Sequence, residues 1–315
     1  MGTRKRQLRV ALESVLDLLD EGLHLYRRTF ARMLVLASLL NLPVSALVAT
    51  AVIAGDWLVT ATGITLLLLG AVLGLPLSLY IMAPMSRAAV LAADGGTVTL
   101  RSALALGPLQ LLGIGCYGTV FLLVAASAVS VISSVCFCVA YLFGVLSIAA
   151  FSSAGVVGGA AGEVVSAAGI VTTLVGVVLM YAATLVLNGA AYSSTIFALQ
   201  PFVHERLPTG QAIRHGLDLT FYRFGQNLLT FVCASLVFGA IALAATLAIG
   251  VLVPLPIIFL LGAESLAARA ITAAVWVGAV TVAIPLLPIW MALLYRHRLA
   301  AWQGAELRTR LAALM

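Results

Sequence analysis

Charged side chains are scarce in this sequence. Asp, Glu, Lys and Arg make up 9% of the 315 residues, where soluble domains carry about 25%. The scarcity is also uneven: neither the stretch between Arg101 and Glu163 nor the one between Glu163 and His204 contains any of the four. Such runs exclude a soluble globular surface, and they exclude the clustered cations of a nucleic-acid-binding face. Cysteine is limited to Cys116, Cys136, Cys138 and Cys233. Cys136 and Cys138 form a C-x-C with no histidine nearby, so the four-ligand set of a structural zinc site is missing, and two cysteines this close make a poor disulfide. A phosphate-cradling G-x-x-x-x-G-K-[ST] loop is absent as well. No metal, cofactor or nucleic acid is expected.

What is present is apolar, at 63% of the chain. Each uncharged run exceeds the roughly 20 residues that cross a bilayer as a helix. Lipid offers no partner to backbone N–H and C=O groups, so spanning segments are helices or a closed barrel. The continuous apolar pattern, without alternation, selects helices. The expected fold class is therefore all-α, a polytopic membrane helix bundle. Six spans are read at residues 33–54, 58–83, 108–131, 168–199, 227–252 and 270–295. Between the third and fourth, "VCFCVAYLFGVLSIAAF" is apolar but "SSAGVVGGAAG" is a poor helix former, so residues 132–162 read as an external apolar hairpin or re-entrant segment.

Charge asymmetry sets the expected topology. Sixteen of the seventeen Lys and Arg residues fall in four clusters, from Arg4 to Arg32, at Arg87 and Arg101, from Arg206 to Arg223, and from Arg296 to Arg310. The positive-inside rule puts all four on the cytoplasmic side, which six spans arranged as three hairpins satisfy. Both termini are then cytoplasmic, in a bacterial inner membrane, and Asp56, Glu163, Glu264 and Arg269 face outward.

Apolar residues Leu8, Leu12, Val15, Leu16, Leu19, Leu23, Tyr26 and Phe30 recur at steps of three and four, with Arg9, Glu13, Asp17, Asp20, His24 and Arg27 largely opposite. Residues 1–32 are therefore expected as an amphipathic helix lying along the cytoplasmic interface, ahead of a transmembrane domain over 33–299. Similar lead-ins, "PTGQAIRHGLDLTFYRFGQNLL" and the weaker "TVTLRSALALGPLQLL", precede the fifth and third spans, so the chain reads as three repeated units. Residues 300–315 form a last amphipathic tail. Pro84 and Pro201 are expected to end or kink their helices, and Gly95, Gly96 and Gly210 to permit turns.

The "LYRRTF" entry to the first span, the Pro-bearing exits, "RHGLDLTFYRF" before the fifth span and the closing "PLLPIWMALLYRHRLAAWQGAEL" resemble the family named for the membrane domain of glycerophosphoryl diester phosphodiesterase. The likeness covers nearly the whole chain. In the phosphodiesterases that name the family, catalysis belongs to a separate soluble barrel. The resemblance therefore implies a stand-alone membrane domain and supplies no catalytic residue.

Site candidates follow from position. Arg27, Arg28 and Arg32, with Arg223, Arg296 and Arg298, are placed to meet lipid phosphates. His204, Glu205 and Arg206, followed by His215 and Asp218, read as interfacial anchors, since nothing in the sequence orients them around a nucleophile; His24 and His297 read the same way. Intramembrane polar side chains tend to face the bundle. Among Asn41, Gln110, Asn188 and Gln226, Asn41 and Asn188 are the choices for lining an internal cleft. The GAVLG of residues 70–74 reads as a close-packing G-x-x-x-G. Residues 132–162 and 254–268 are apolar external segments that suit a protein partner. The expected function is a non-enzymatic scaffold or accessory subunit of a membrane complex that contacts anionic lipid. The alternative is a transporter of a small solute or lipid.

Overall fold

The computed structural model of the chain describes residues 2–53, 61–155, 160–205, 207–262 and 265–304. Asp56, Arg206, Glu264, the tail from residue 305 on, the surroundings of Gly70 and Gly74, and the side chains of Cys136 and Glu163 lie outside what is described. Every regular element among the described residues is helical. In chain order they are α1 (Gly2–Ile53), α2 (Ala61–Ala93), α3 (Leu100–Ala103), α4 (Pro108–Gly155), α5 (Ala160–Ala198), α6 (Gln200–His204), α7 (Thr209–Phe221), α8 (Phe224–Leu252), α9 (Pro254–Leu261), α10 (Leu266–Thr281) and α11 (Leu286–Trp302). Six stretches are long and apolar enough to cross a membrane: Arg9–Ala46, Pro76–Ala93, Pro108–Val135, Ala182–His204, Phe224–Leu261 and Leu266–Trp302. The chain is all-α, with the make-up of an integral multi-pass membrane protein.

Neighbour relations close a ring. α1 packs on α2, α2 on α4, α4 on α5, α5 on α8, α8 on α10, and α10 returns to α1. α11 touches α1, α2, α5 and α8 together and fills the centre of the ring. Its sequence, "LLPIWMALLY", has no polar residue before Tyr295, and a helix apolar all round is stable only when surrounded. Accordingly Leu286 to Tyr295, ten consecutive residues, are all buried.

The sixth apolar stretch reaches the centre by breaking. Pro285 lacks an N–H and crowds the preceding turn, and α10 stops at Thr281 before α11 begins at Leu286. Leu286 N–H donates to Ala283 O at 3.0 Å in place of Val282 O. The Val282 carbonyl left over accepts from the Tyr26 hydroxyl at 2.6 Å. Nearby, the Asn41 amide donates to Thr281 Oγ1 at 2.7 Å, so α1 supplies two of the polar contacts around the break.

Several expectations are corrected. Residues 1–32 are not a separate element: α1 runs unbroken from Gly2 to Ile53. No proline precedes Pro43, and the arginines at 27, 28 and 32 are good helix formers, so nothing stops the helix at residue 32. Part of the apolar stripe assigned to lipid is covered by protein instead. Val15, Leu19 and Tyr26 are buried, while Leu12, Leu16 and Phe30 remain exposed. Trp290 Nε1 donates to Leu19 O at 3.0 Å, and a Cβ on Gly22 would stand 2.3 Å from Trp290 Cδ1.

Residues 132–155 continue α4, and α5 has begun by Ala160, so 131 and 168 are not helix ends. α4 and α5 pack extensively against each other, which supports helix through small residues that favour it weakly alone. The 48 residues of α4 measure about 72 Å, well beyond the roughly 30 Å of a hydrocarbon core. α2 continues through Pro84 to Ala93, whereas α5 does stop just before Pro201. Gly95 takes a positive φ of 76° in the turn after α2, but Gly210 lies inside α7. Past Leu252 the chain stays helical through Pro254. Pro254 opens α9 after a single helical-φ/ψ residue, Val253, and the turn comes at Gly262, φ 82°. The three supposedly repeated lead-ins take three forms: a continuous half of α1, the single turn α3, and the separate helix α7.

Candidate functional site

The last carbonyls of a helix have no intrahelical donor. At the end of α7 the chain turns into α8 through only Tyr222 and Arg223. Asn227, fully buried in the first turn of α8, supplies the donor. Its amide reaches Leu219 O at 3.1 Å, Thr220 O at 3.1 Å and Tyr222 O at 2.8 Å. Its Oδ1 accepts from Arg298 Nε at 2.7 Å, and Arg298 Nη1 reaches Gln226 Oε1 at 3.1 Å. One side chain therefore ties the end of α7, the start of α8 and the end of α11 together. α7 also crosses α5 backbone to backbone: a Cβ on Gly216 would lie 2.5 Å from Ala198 O.

A second network lies where α6 and α7 meet α11. Tyr295 donates its hydroxyl to Glu205 Oε1, and His215 Nε2 stands 3.4 Å from the same oxygen. The His215 nitrogen is buried and makes no hydrogen bond, so the 3.4 Å approach has poor hydrogen-bond geometry. The His215 ring lies against Trp302, with centroids 4.9 Å apart. His204 Nε2 meets Gln200 Oε1 at 2.7 Å, and the fully buried Gln200 donates to Ser86 Oγ at 3.2 Å and Ile196 O at 2.8 Å. His204, Glu205 and His215 are thus packed inward, against the expectation of exposed interfacial anchors. His24 and His297 are exposed, the latter 3.5 Å from Glu21.

The arginines divide. Arg27 and Arg28 are exposed on α1. Arg32 edges an apolar groove with Val35, Leu36, Leu39, Val98 and Leu100. Arg296 pairs with Asp94 at 2.8 Å across α11 and the turn after α2. Arg223 is exposed, with its guanidinium 5.4 Å from the Tyr222 ring centroid. Arg298 is half-buried and held by the two amides. The polar residues assigned to a cleft are not brought together. Asn41 is buried between α1 and α10 against Thr281, and Asn188 is exposed on α5, bonded to its own helix at Thr184 O, 2.8 Å. Gln110 accepts from Gly107 N–H at 2.9 Å at the start of α4.

Sequence reading passed over Asn227, Tyr295 and Gln200. Asn227 carries a legible signal, an amide residue six positions after the end of α7. Tyr295 reads as the end of an apolar run and Gln200 lies among apolar residues, so neither gives a signal. Chemically the region offers fixed guanidiniums beside apolar walls, and a carboxylate already satisfied by a phenol. Among the described residues, no three His, Cys, Asp or Glu side chains gather to hold a metal. No family model matches the chain, and no curated protein or solved structure matches it either.

Proposed function

We propose that the chain is a non-enzymatic scaffold or accessory subunit of a membrane complex, resembling stand-alone members of the glycerophosphoryl diester phosphodiesterase membrane-domain family. Its basic end rests on the anionic cytoplasmic leaflet, where Arg27, Arg28, Arg32 and Arg223 reach lipid phosphate. The observation that carries the reading is the filled centre: Leu286 to Tyr295 occupy the middle of the helix ring with buried side chains on every face. A transporter needs a polar path there. The apolar surface available to a partner is at α9, where Phe259 is 92% and Leu260 83% exposed.

The test is photocrosslinking in intact cells from a probe at Phe259 or Leu260, with exposed Leu109 on α4 as the control position. A discrete protein adduct specific to α9 is expected. Adducts to lipid alone, at both sites, would remove the scaffold reading. One observation favours transport instead: the α10–α11 interruption, since broken helices form substrate sites in many transporters. Solute or lipid flux in proteoliposomes, abolished by Pro285→Ala, would establish that alternative.

A further inference from the structure

Arg223 and Arg298 line one cavity of about 550 Å³ between the N-terminal half of α1, the start of α8 and the end of α11. Their like charges act on one another. Neither has a carboxylate partner among the described residues. Arg298 is held by the neutral amides of Asn227 and Gln226, and Arg223 lies over its neighbour Tyr222. A third basic group, His297, also lines the cavity, with Glu21 at 3.5 Å. Two guanidiniums sharing a space without a counter-ion repel, and that arrangement is relieved by an anion between them.

The backbone at Arg223 points the same way. Its φ and ψ of 51° and 46° are left-handed, and among the described residues no other non-glycine residue has a positive φ. Glycine would occupy this position without the steric penalty that a Cβ brings. An arginine held in such a conformation, at the mouth of a cavity, is the pattern of strain stored at a binding site. The rest of the wall includes Val15, Leu18 and Leu294, so the cavity joins a cationic side to an apolar one. Its volume lies within the roughly 300–1,000 Å³ typical of small-molecule sites.

We propose that this cavity binds one phosphate group, with the Arg223 and Arg298 guanidiniums sharing its oxygens and Val15, Leu18 and Leu294 flanking the organic part of the ligand. Planar guanidiniums match phosphate oxygens in pairs, which a point charge cannot do. The phosphate belongs to a phospholipid headgroup or to a free phosphate. The lipid source rests on the reading that the basic end meets an anionic membrane surface, whereas phosphate binding does not.

The test uses the full-length protein purified in a non-ionic detergent. Inorganic phosphate, dioctanoyl phosphatidic acid and, as control, dioctanoyl phosphatidylcholine are titrated, and binding is read by thermophoresis and by melting temperature. Saturable one-to-one binding of at least one of the first two is expected. Arg298→Gln should weaken it about tenfold to a hundredfold. Because that change also disturbs Asn227, Arg223→Gly is the sharper variant. It should melt about 2–4 °C higher, freed of the left-handed penalty, and yet lose about tenfold or more in affinity. The variant Arg214→Gln, exposed on α7 and outside the cavity, should bind like the wild type. No saturable binding, undiminished binding by Arg223→Gly, or an equal loss in Arg214→Gln would each overturn the proposal. Phosphate binding without lipid binding upholds the cavity and removes the anionic-lipid part of the proposed function. A failed crosslink at α9 alongside intact binding removes only the scaffold.

Discussion

Asn227 offers the most direct probe of the basic end. In Asn227→Ala the three carbonyls of Leu219, Thr220 and Tyr222 lose their side-chain donor, and the Arg298 guanidinium loses an acceptor. The amide has only two hydrogens for three acceptors, so two net bonds of about 1 kcal/mol each are lost, together with a charged bond of about 1.5–3 kcal/mol. Some relaxation and water entry return part of this, and a destabilisation of about 3 kcal/mol is expected. At about 2–4 °C per kcal/mol the melting temperature falls by roughly 6–12 °C. Thermal unfolding of the detergent-solubilised protein, followed by tryptophan fluorescence, measures it. Hydrogen exchange should rise first over residues 209–222. The informative partner is Asn227→Asp, which keeps an oxygen for Arg298 and adds an ion pair, but turns a carboxylate oxygen toward three carbonyl oxygens. If capping of α7 is what matters, Asp is destabilised about as much as Ala. An Asp variant as stable as wild type would refute the reasoning, because the Arg298 contact alone would then account for the site.

Three further outcomes follow from contacts elsewhere. Gly22→Ala pushes a methyl group to within 2.3 Å of the buried Trp290 ring; overpacking of about 1–3 kcal/mol is expected, seen as a lower melting temperature and a shifted Trp emission. Tyr295→Phe leaves the Glu205 carboxylate without its phenol donor, costing about 1.5–3 kcal/mol, and Glu205→Gln in the same chain should recover part of that loss in a double-mutant cycle. Asn41→Leu and Thr281→Val, alone and combined, should show a coupling of about 0.5–2 kcal/mol; strictly additive effects would mean the 2.7 Å contact contributes nothing.

The long uncharged runs between Arg101 and Glu163 and between Glu163 and His204 decide helix and membrane by themselves, since backbone groups in lipid have no other way to be satisfied. The start of the third span at 108 and the break at Pro201 were also legible, and the proline signal is one that acts on the local backbone. The ends at 131, 168 and 32 were misread. Weak local propensity suggested breaks at 131 and 168, where packing of α4 on α5 carries the helices through, whereas at 32 the change from an amphipathic to an apolar pattern is not a helix end.

The candidate site was legible in charge and not in contact. Arg223 and Arg298 stood out as basic residues near helix ends, but their shared cavity joins positions 75 residues apart through α1, and no spacing rule encodes that. Tyr26 and Val282, Leu19 and Trp290, and Glu205 and Tyr295 are pairings of the same kind. Composition thus determined the all-helical class and the six apolar stretches long enough to cross a membrane, because these depend on transfer of each segment between water and lipid. Which helix fills the centre, and which polar groups meet there, was decided by tertiary packing, since within lipid the helices are equally apolar and only shape complementarity and satisfied polar atoms distinguish one neighbour from another.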